Sequence, residues 1–221
     1  PWRSDCLIRA LAARRWLARL GVCAELRLGV ARAGEGLAAH AWLTLDGRPL
    51  VGGTPLVYMT YHVPPGGDPD FAAVSLLSLV LGDTPGGRLH KRLVETQLAA
   101  QAFAGAWGLT EPGPLIVGTG LAPGQDIERA RAAMVAVLDG VAAEPVTAEE
   151  LERARTTWLN GWDLGFTDPE RVGVAMSEAI SLGDWRLYFL QRDRVRQVKL
   201  QDLQRVASTW LRQDNRTVGV Y

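Results

Sequence analysis

The chain changes character at Gly52-Gly53-Thr54-Pro55, and this break limits the possible folds more than any other feature. Before it lie one helical period and a few alternating segments. After it comes a longer, helix-rich stretch bounded by strands. The charge also divides there. Residues 1–55 carry eight arginines against four acids (Asp5, Glu25, Glu35, Asp46), an excess of four positive charges that the remainder cancels. Four charges spread over a helix and two strands are not the clustered basic face that nucleic acid requires, so no nucleic-acid partner is expected. The longest apolar run, Phe71 to Leu81, is bounded by Asp70 and Asp83 and is too short to span a bilayer, so no membrane partner is expected.

In the first piece, Ser4 or Asp5 can cap a helix running to about Leu20. Its apolar residues Leu7, Ile8, Leu11, Trp16, Leu17 and Leu20 recur at helical spacing, and Gly21 ends it. Cys23 to Val30 and Ala38 to Leu45 alternate as strands, and Asp46-Gly47 signals a tight hairpin into a short strand at Pro49 to Val51. The second piece predicts a strand over 56–63, a strongly apolar helix over 70–81 and, beyond the Gly82–Gly87 break, a helix over 88–95. A strand pair over 98–107 and 114–121 follows. Helices are predicted over 126–140, from Thr147 to about Trp162, and over 169–182, 185–195 and 200–211, with a last strand from Asn215. Strands, then helices, then a returning strand predict an α+β fold, its antiparallel sheet covered by helices on one face.

Residues suited to covalent chemistry lie in the first piece. Cys6 falls in the first turn of a helix, where free N–H groups and the helix dipole stabilise a thiolate. His40 stands alone in the apolar strand Ala39-His40-Ala41-Trp42. A thiolate facing an imidazole suits acyl transfer, because the ring pairs with the sulfur and then protonates the leaving amine. The plainer alternatives are a small buried cysteine and a packed histidine. Cys23 opens a strand and reads as core, and a Cys6–Cys23 disulfide is open on count alone, although two cysteines are not the density of a stapled secreted scaffold. A cytoplasmic setting is the expectation.

The segments Cys6-Leu7-Ile8-Arg9-Ala10, Leu17-Ala18-Arg19-Leu20-Gly21-Val22, Leu26-Arg27-Leu28-Gly29-Val30, Ala39-His40-Ala41-Trp42 and Asp46-Gly47-Arg48-Pro49 resemble the transglutaminase-like cysteine peptidases of lasso-peptide biosynthesis, the B or B2 leader peptidases. The resemblance covers residues 2–53. It implies Cys6 as nucleophile and His40 as general base, removal of a leader from a ribosomal precursor peptide, and partnership with a small leader-recognition protein and a cyclase. A carboxylate should orient the histidine. In the related fold it lies on the following strand, which here runs from Arg48 to Gly53 without an acid. Asp46 is the nearby candidate, and its plainer role is that of a turn residue.

Residues 56–221 hold no nucleophile elbow, phosphate loop or metal-ligand cluster, and neither His62 nor His90 has the spaced partner of a helix-borne zinc motif, so no cofactor and no metal are expected. The segments Tyr61-His62-Val63-Pro64-Pro65, Asp68-Pro69-Asp70, Leu81-Gly82-Asp83-Thr84-Pro85-Gly86-Gly87-Arg88-Leu89, Pro145-Val146-Thr147, Gly183-Asp184-Trp185-Arg186 and Asn215-Arg216-Thr217-Val218-Gly219 resemble M16 (pitrilysin/insulinase-type) metallopeptidases. The resemblance is to the second subdomain of a lobe, which walls the peptide chamber and does not hold the zinc. It implies a small transglutaminase-like unit (1–53) followed by an M16-type α+β sandwich (54–221), lacking the strand that should precede Leu56. The short strand at Pro49 to Val51 is available to fill that gap, or the open edge can pair with another chain or a peptide. Two functions follow: a Cys–His leader peptidase with an M16-like scaffold, or a non-catalytic M16 subdomain acting as a structural or peptide-binding module beside a complementary M16 lobe.

Overall fold

The computed structural model describes every residue except 1–4, 34–35, 47, 52–54, 123–124, 142 and 221, and leaves undescribed the side chains of residues 5–6, 9, 30–33, 36–40 and 48–51. It divides into two compact units, Pro1–Pro55 and Leu56–Val220.

The first unit contains α1 (Asp5–Arg19) and the antiparallel strands β1 (Glu25–Ala33), β2 (Gly36–Leu45) and β3 (Arg48–Val51), in the sheet order β1-β2-β3. Gly21, at φ +75°, supplies the left-handed residue that ends α1. The helix packs on β2 through a small cluster: Ala10, Ala24, Ala41 and Leu43 are buried, with Leu7, Ala13, Leu17 and Leu26 against them. Two sequence expectations are corrected here. Cys23 is exposed and free, not core, because it lies in the link before β1 while the next residue, Ala24, turns inward. The Pro49–Val51 segment pairs with β2 in this sheet, so it does not extend the sheet of the larger unit.

The larger unit is built on β4 (Leu56–Val63), β5 (Gln101–Ala106), β6 (Gly113–Gly120) and β7 (Arg216–Val220), antiparallel in the order β5-β6-β4-β7. The strand at Leu56 therefore has a neighbour on each side, and among the described residues the outermost strands of this sheet are β5 and β7. Period-2 alternation decides the faces: Val57, Met59, Tyr61 and Val63 of β4 are fully buried, while Tyr58 and Thr60 are half-buried and His62 is exposed.

The buried face is covered by α2 (Phe71–Gly82), a helix apolar all round and therefore enclosed. Its two serines return their hydroxyls to its own carbonyls: Ser75 Oγ donates to Phe71 O and Ser78 Oγ to Ser75 O, each at 2.8 Å. At its end Gly82 presses on β5, where an added Cβ would lie 2.0 Å from the Ala104 nitrogen, so only glycine allows this approach. The helix predicted over 88–95 instead widens into a π-helical turn at His90–Val94. Gln97, at φ +58°, closes it, which delays the next strand to Gln101. Then come α3 (Ile127–Gly140), α4 (Ala148–Phe166), α5 (Pro169–Ser181), α6 (Leu187–Gln197) and α7 (Leu200–Trp210); α4, α6 and α7 pack on α2.

Side-chain caps fix several helix starts. Asp126 accepts from Glu128 N and Arg129 N, and Asp168 from Glu170 N and Arg171 N, while Thr147 and Glu150 form a reciprocal capping box.

Candidate functional site

In the small unit the backbone places Cys6 as the second residue of α1 and His40 on β2, opposite Gly29 of β1. Both side chains lie outside the described residues. Asp46 is described. It is exposed and takes φ +50° at the tip between β2 and β3, a conformation that aspartate tolerates in tight turns.

Two of the concave features of the larger unit bear on function. The first, about 750 Å³, is lined by Arg88, Lys91, Arg92, Glu144, Thr147 and Glu150 among others. Arg88 is fully engaged within the protein. Its guanidinium binds Glu150 through two bonds of 2.8 and 2.7 Å and donates to the carbonyls of Glu144 (2.7 Å) and Pro145 (3.0 Å). Burial pushes the Glu150 carboxyl upward, but bonds from Arg88 and from the Thr147 backbone outweigh it and hold the pKa down at about 2. This arrangement splices the start of α4 to the segment after α2, and it is a structural clamp. A second tie runs from Arg216 at the start of β7 to Asp139 of α3 (2.8 Å) and to the hydroxyl of buried Tyr61 (3.4 Å), whose pKa burial raises.

The second feature is a groove of about 550 Å³ between the β5–β6 loop and helices α4 to α6. Trp107, Leu109, Trp158, Trp162, Leu182 and Tyr188 give it an apolar lining. An aromatic cluster continues outward from it: Trp162 stacks on Phe166 (ring centres 4.9 Å apart) and meets Tyr188 at 5.3 Å, and the Arg192 guanidinium lies 4.7 Å from the Trp162 ring centre. The floor is tight backbone. A Cβ on Gly66 would fall 3.0 Å from the Gly108 Cα and 2.9 Å from a Leu182 methyl. The sequence pattern places Trp158 and Trp162 within a helix. No local spacing shows that residues from 66 to 191 converge on one groove.

Among the described residues, no group of three His, Cys, Asp or Glu side chains is placed to hold a metal ion, and no helix is long and apolar enough to cross a membrane.

A four-stranded antiparallel sheet backed by a buried helix, with its concave surfaces walled by helices and an ion-pair clamp, defines the larger unit as an α+β sandwich domain. Comparison with known proteins identifies which kind. The model of the peptidase M16 inactive domain matches residues 48–157, and the model of the transglutaminase-like superfamily matches residues 1–63. A structure from Bordetella pertussis Tohama I, designated a zinc protease, is 48% identical with TM-score 0.71 and covers 76% of this chain and 93% of its own. The inactive peptidase domain of a protein designated a zinc protease from Bordetella parapertussis is 49% identical with TM-score 0.73, covering 78% and 94%. A protease from Helicobacter pylori shares the fold at 22% identity and TM-score 0.71, this chain covering 42% of its length. No curated protein matches significantly. The chain belongs to the M16 peptidase family, through the inactive domain that forms its larger unit.

Proposed function

We propose that the larger unit serves as the non-catalytic wall of an M16-type peptidase, contributing surface for peptide while a complementary zinc-bearing M16 lobe supplies the metal and the bond cleavage. The observation that carries this reading is the near-half identity to an inactive peptidase domain across almost the whole of that domain's length. The sequence is consistent with it, since the only histidines of the larger unit are His62 and His90, which lack zinc-motif spacing. Such a division of labour needs stable association. Mixing this chain with a zinc-bearing M16 chain from the same organism should give a single heavier species in light scattering. Separate elution at micromolar concentrations would argue against the reading.

A second reading concerns the small unit. We propose for it a cysteine peptidase that removes a leader from a ribosomal precursor, with Cys6 in the first turn of α1, His40 on β2 and Asp46 as the candidate third member; the transglutaminase-like match supports the scaffold of this reading. A reactive thiolate would make Cys6 alkylate at pH 6 far faster than the exposed Cys23, and Cys6→Ala would abolish precursor cleavage. Equal, slow labelling of both thiols would remove this reading.

A further inference from the structure

Residues 48–51 are matched by both families at once. The transglutaminase-like model runs to residue 63 and the peptidase M16 inactive-domain model begins at residue 48, so the two overlap across this segment. In the structure the segment is β3, and its hold on β2 is slight. Three positions are paired, Leu43 with Val51, Thr44 with Pro49 and Leu45 with Arg48, and the register shifts between Leu43 and Thr44. Pro49 has no N–H to give to the ladder.

The larger unit has a second seat for such a segment. β7 pairs with β4 on one side, and among the described residues no strand lies on its other side. Val220 stands opposite Val57 and Val218 opposite Met59, so all four share the face that the helices cover. Val57 and Met59 are fully buried there, yet Val218 and Val220 are each 41% exposed. The helix layer stops short of this edge and leaves an apolar ledge beside a row of backbone donors and acceptors. An extended chain matches such a row, whereas a helix has already used its own backbone groups.

We propose that Arg48–Val51 is a shared strand, which leaves β2 to add to the outer edge of β7 and so exchanges one sheet for the other. The chain is long enough. A seat beyond β7 lies two strand spacings from β4, about 10 Å, and the five Cα–Cα steps from Val51 to Leu56 reach up to about 17 Å. The residue types suit the ledge as well. Successive residues of a strand face opposite sides, so one of Leu50 and Val51 falls on the ledge side whichever way the strand is turned. The four residues can complete one sheet at a time. When they cover β7, the free edge passes to β2, the strand that carries His40.

The test is disulfide trapping in the full chain with Cys6→Ser and Cys23→Ser. Leu43→Cys with Val51→Cys reports the β2 seat, since directly opposed strand residues lie within bridging distance. Val51→Cys or Leu50→Cys, each combined with Val218→Cys or Val220→Cys, reports the β7 seat. Under mild oxidation both seats should give an intramolecular bridge, read by peptide mass spectrometry on the monomer fraction. Closing the bridge to β2 should then strip amide protection from Arg216–Val220 in hydrogen exchange, relative to the same variant reduced. A variant without new cysteines checks the result: Val51→Asp should lower the unfolding midpoint of residues 56–220 as well as that of residues 1–55. Trapping on β2 alone overturns the proposal, and so does a β7 bridge found only between two chains. Unchanged protection of Arg216–Val220 in the locked protein, or a Val51→Asp effect confined to residues 1–55, overturns it equally.

Discussion

The two units differ in the size of the apolar core that each encloses. In the larger one, α2 is enclosed on all sides, and one cluster runs from Val57 on β4 through Leu76 and Leu77 to Val206 on α7. In the smaller one, four apolar residues are buried among those described, while Ile8, Trp16, Leu20 and Leu28 are more than 60% exposed. Stability scales with buried apolar area, so the larger unit should behave as an autonomous cooperative domain and the smaller as a marginal one. The two Bordetella structures at near-half identity cover 76% and 78% of the chain, and a transglutaminase-like superfamily model matches residues 1–63.

Core truncation gives the sharpest test of this contrast. Leu77→Ala should lower the stability of residues 56–220 by about 3 kcal/mol, whereas Leu43→Ala should shift only the unfolding of residues 1–55. Hydrogen exchange read by mass spectrometry separates the two. A single shared transition that both variants displace would break the comparison.

The Arg88–Glu150 clamp comes next. Glu150→Gln should cost about 2 kcal/mol in denaturant unfolding, below the range for fully buried pairs because both side chains keep some exposure. Its pH dependence has a definite sign. The folded pKa of about 2 lies below the usual 4.5, so the clamp's contribution is complete above that value and disappears as pH falls toward 2. Acid titration of wild type should show this loss, and Glu150→Gln should flatten it. Keeping the cap hydroxyl with Thr147→Ser should change little, whereas removing it with Thr147→Ala should cost about 1 kcal/mol by thermal unfolding. Smallest of all, Trp16→Ser on the exposed side of α1 should change stability by no more than about 0.5 kcal/mol.

Most elements were legible because local rules and tertiary packing agree. Leu56–Val63 alternates and is half-buried, the run from Phe71 is apolar and enclosed, and Asp126, Thr147 and Asp168-Pro169 start helices by capping chemistry that is visible in the letters. The misses share one cause. Whether Cys23 turns inward, whether the Pro49–Val51 strand joins one sheet or the other, and where the helix after Gly87 widens all depend on distant partners that no window of sequence contains. The groove was invisible for the same reason. Its aromatic residues carry the helical spacing of an ordinary core stripe, and only the packing of the β5–β6 loop against α5 and α6 turns that stripe into a cleft. The Cys6 and His40 pattern, in contrast, is a motif of the letters and owes nothing to packing.

The central claim is that the larger unit handles peptide without cleaving it and relies on a zinc-bearing partner. Hydrolysis of a quenched fluorogenic peptide, with Cys6→Ala in place to silence any thiol chemistry, measures this directly. The account predicts no chelator-sensitive turnover by this chain alone and turnover once a zinc-bearing M16 chain is added. Chelator-sensitive cleavage by the isolated chain would contradict it.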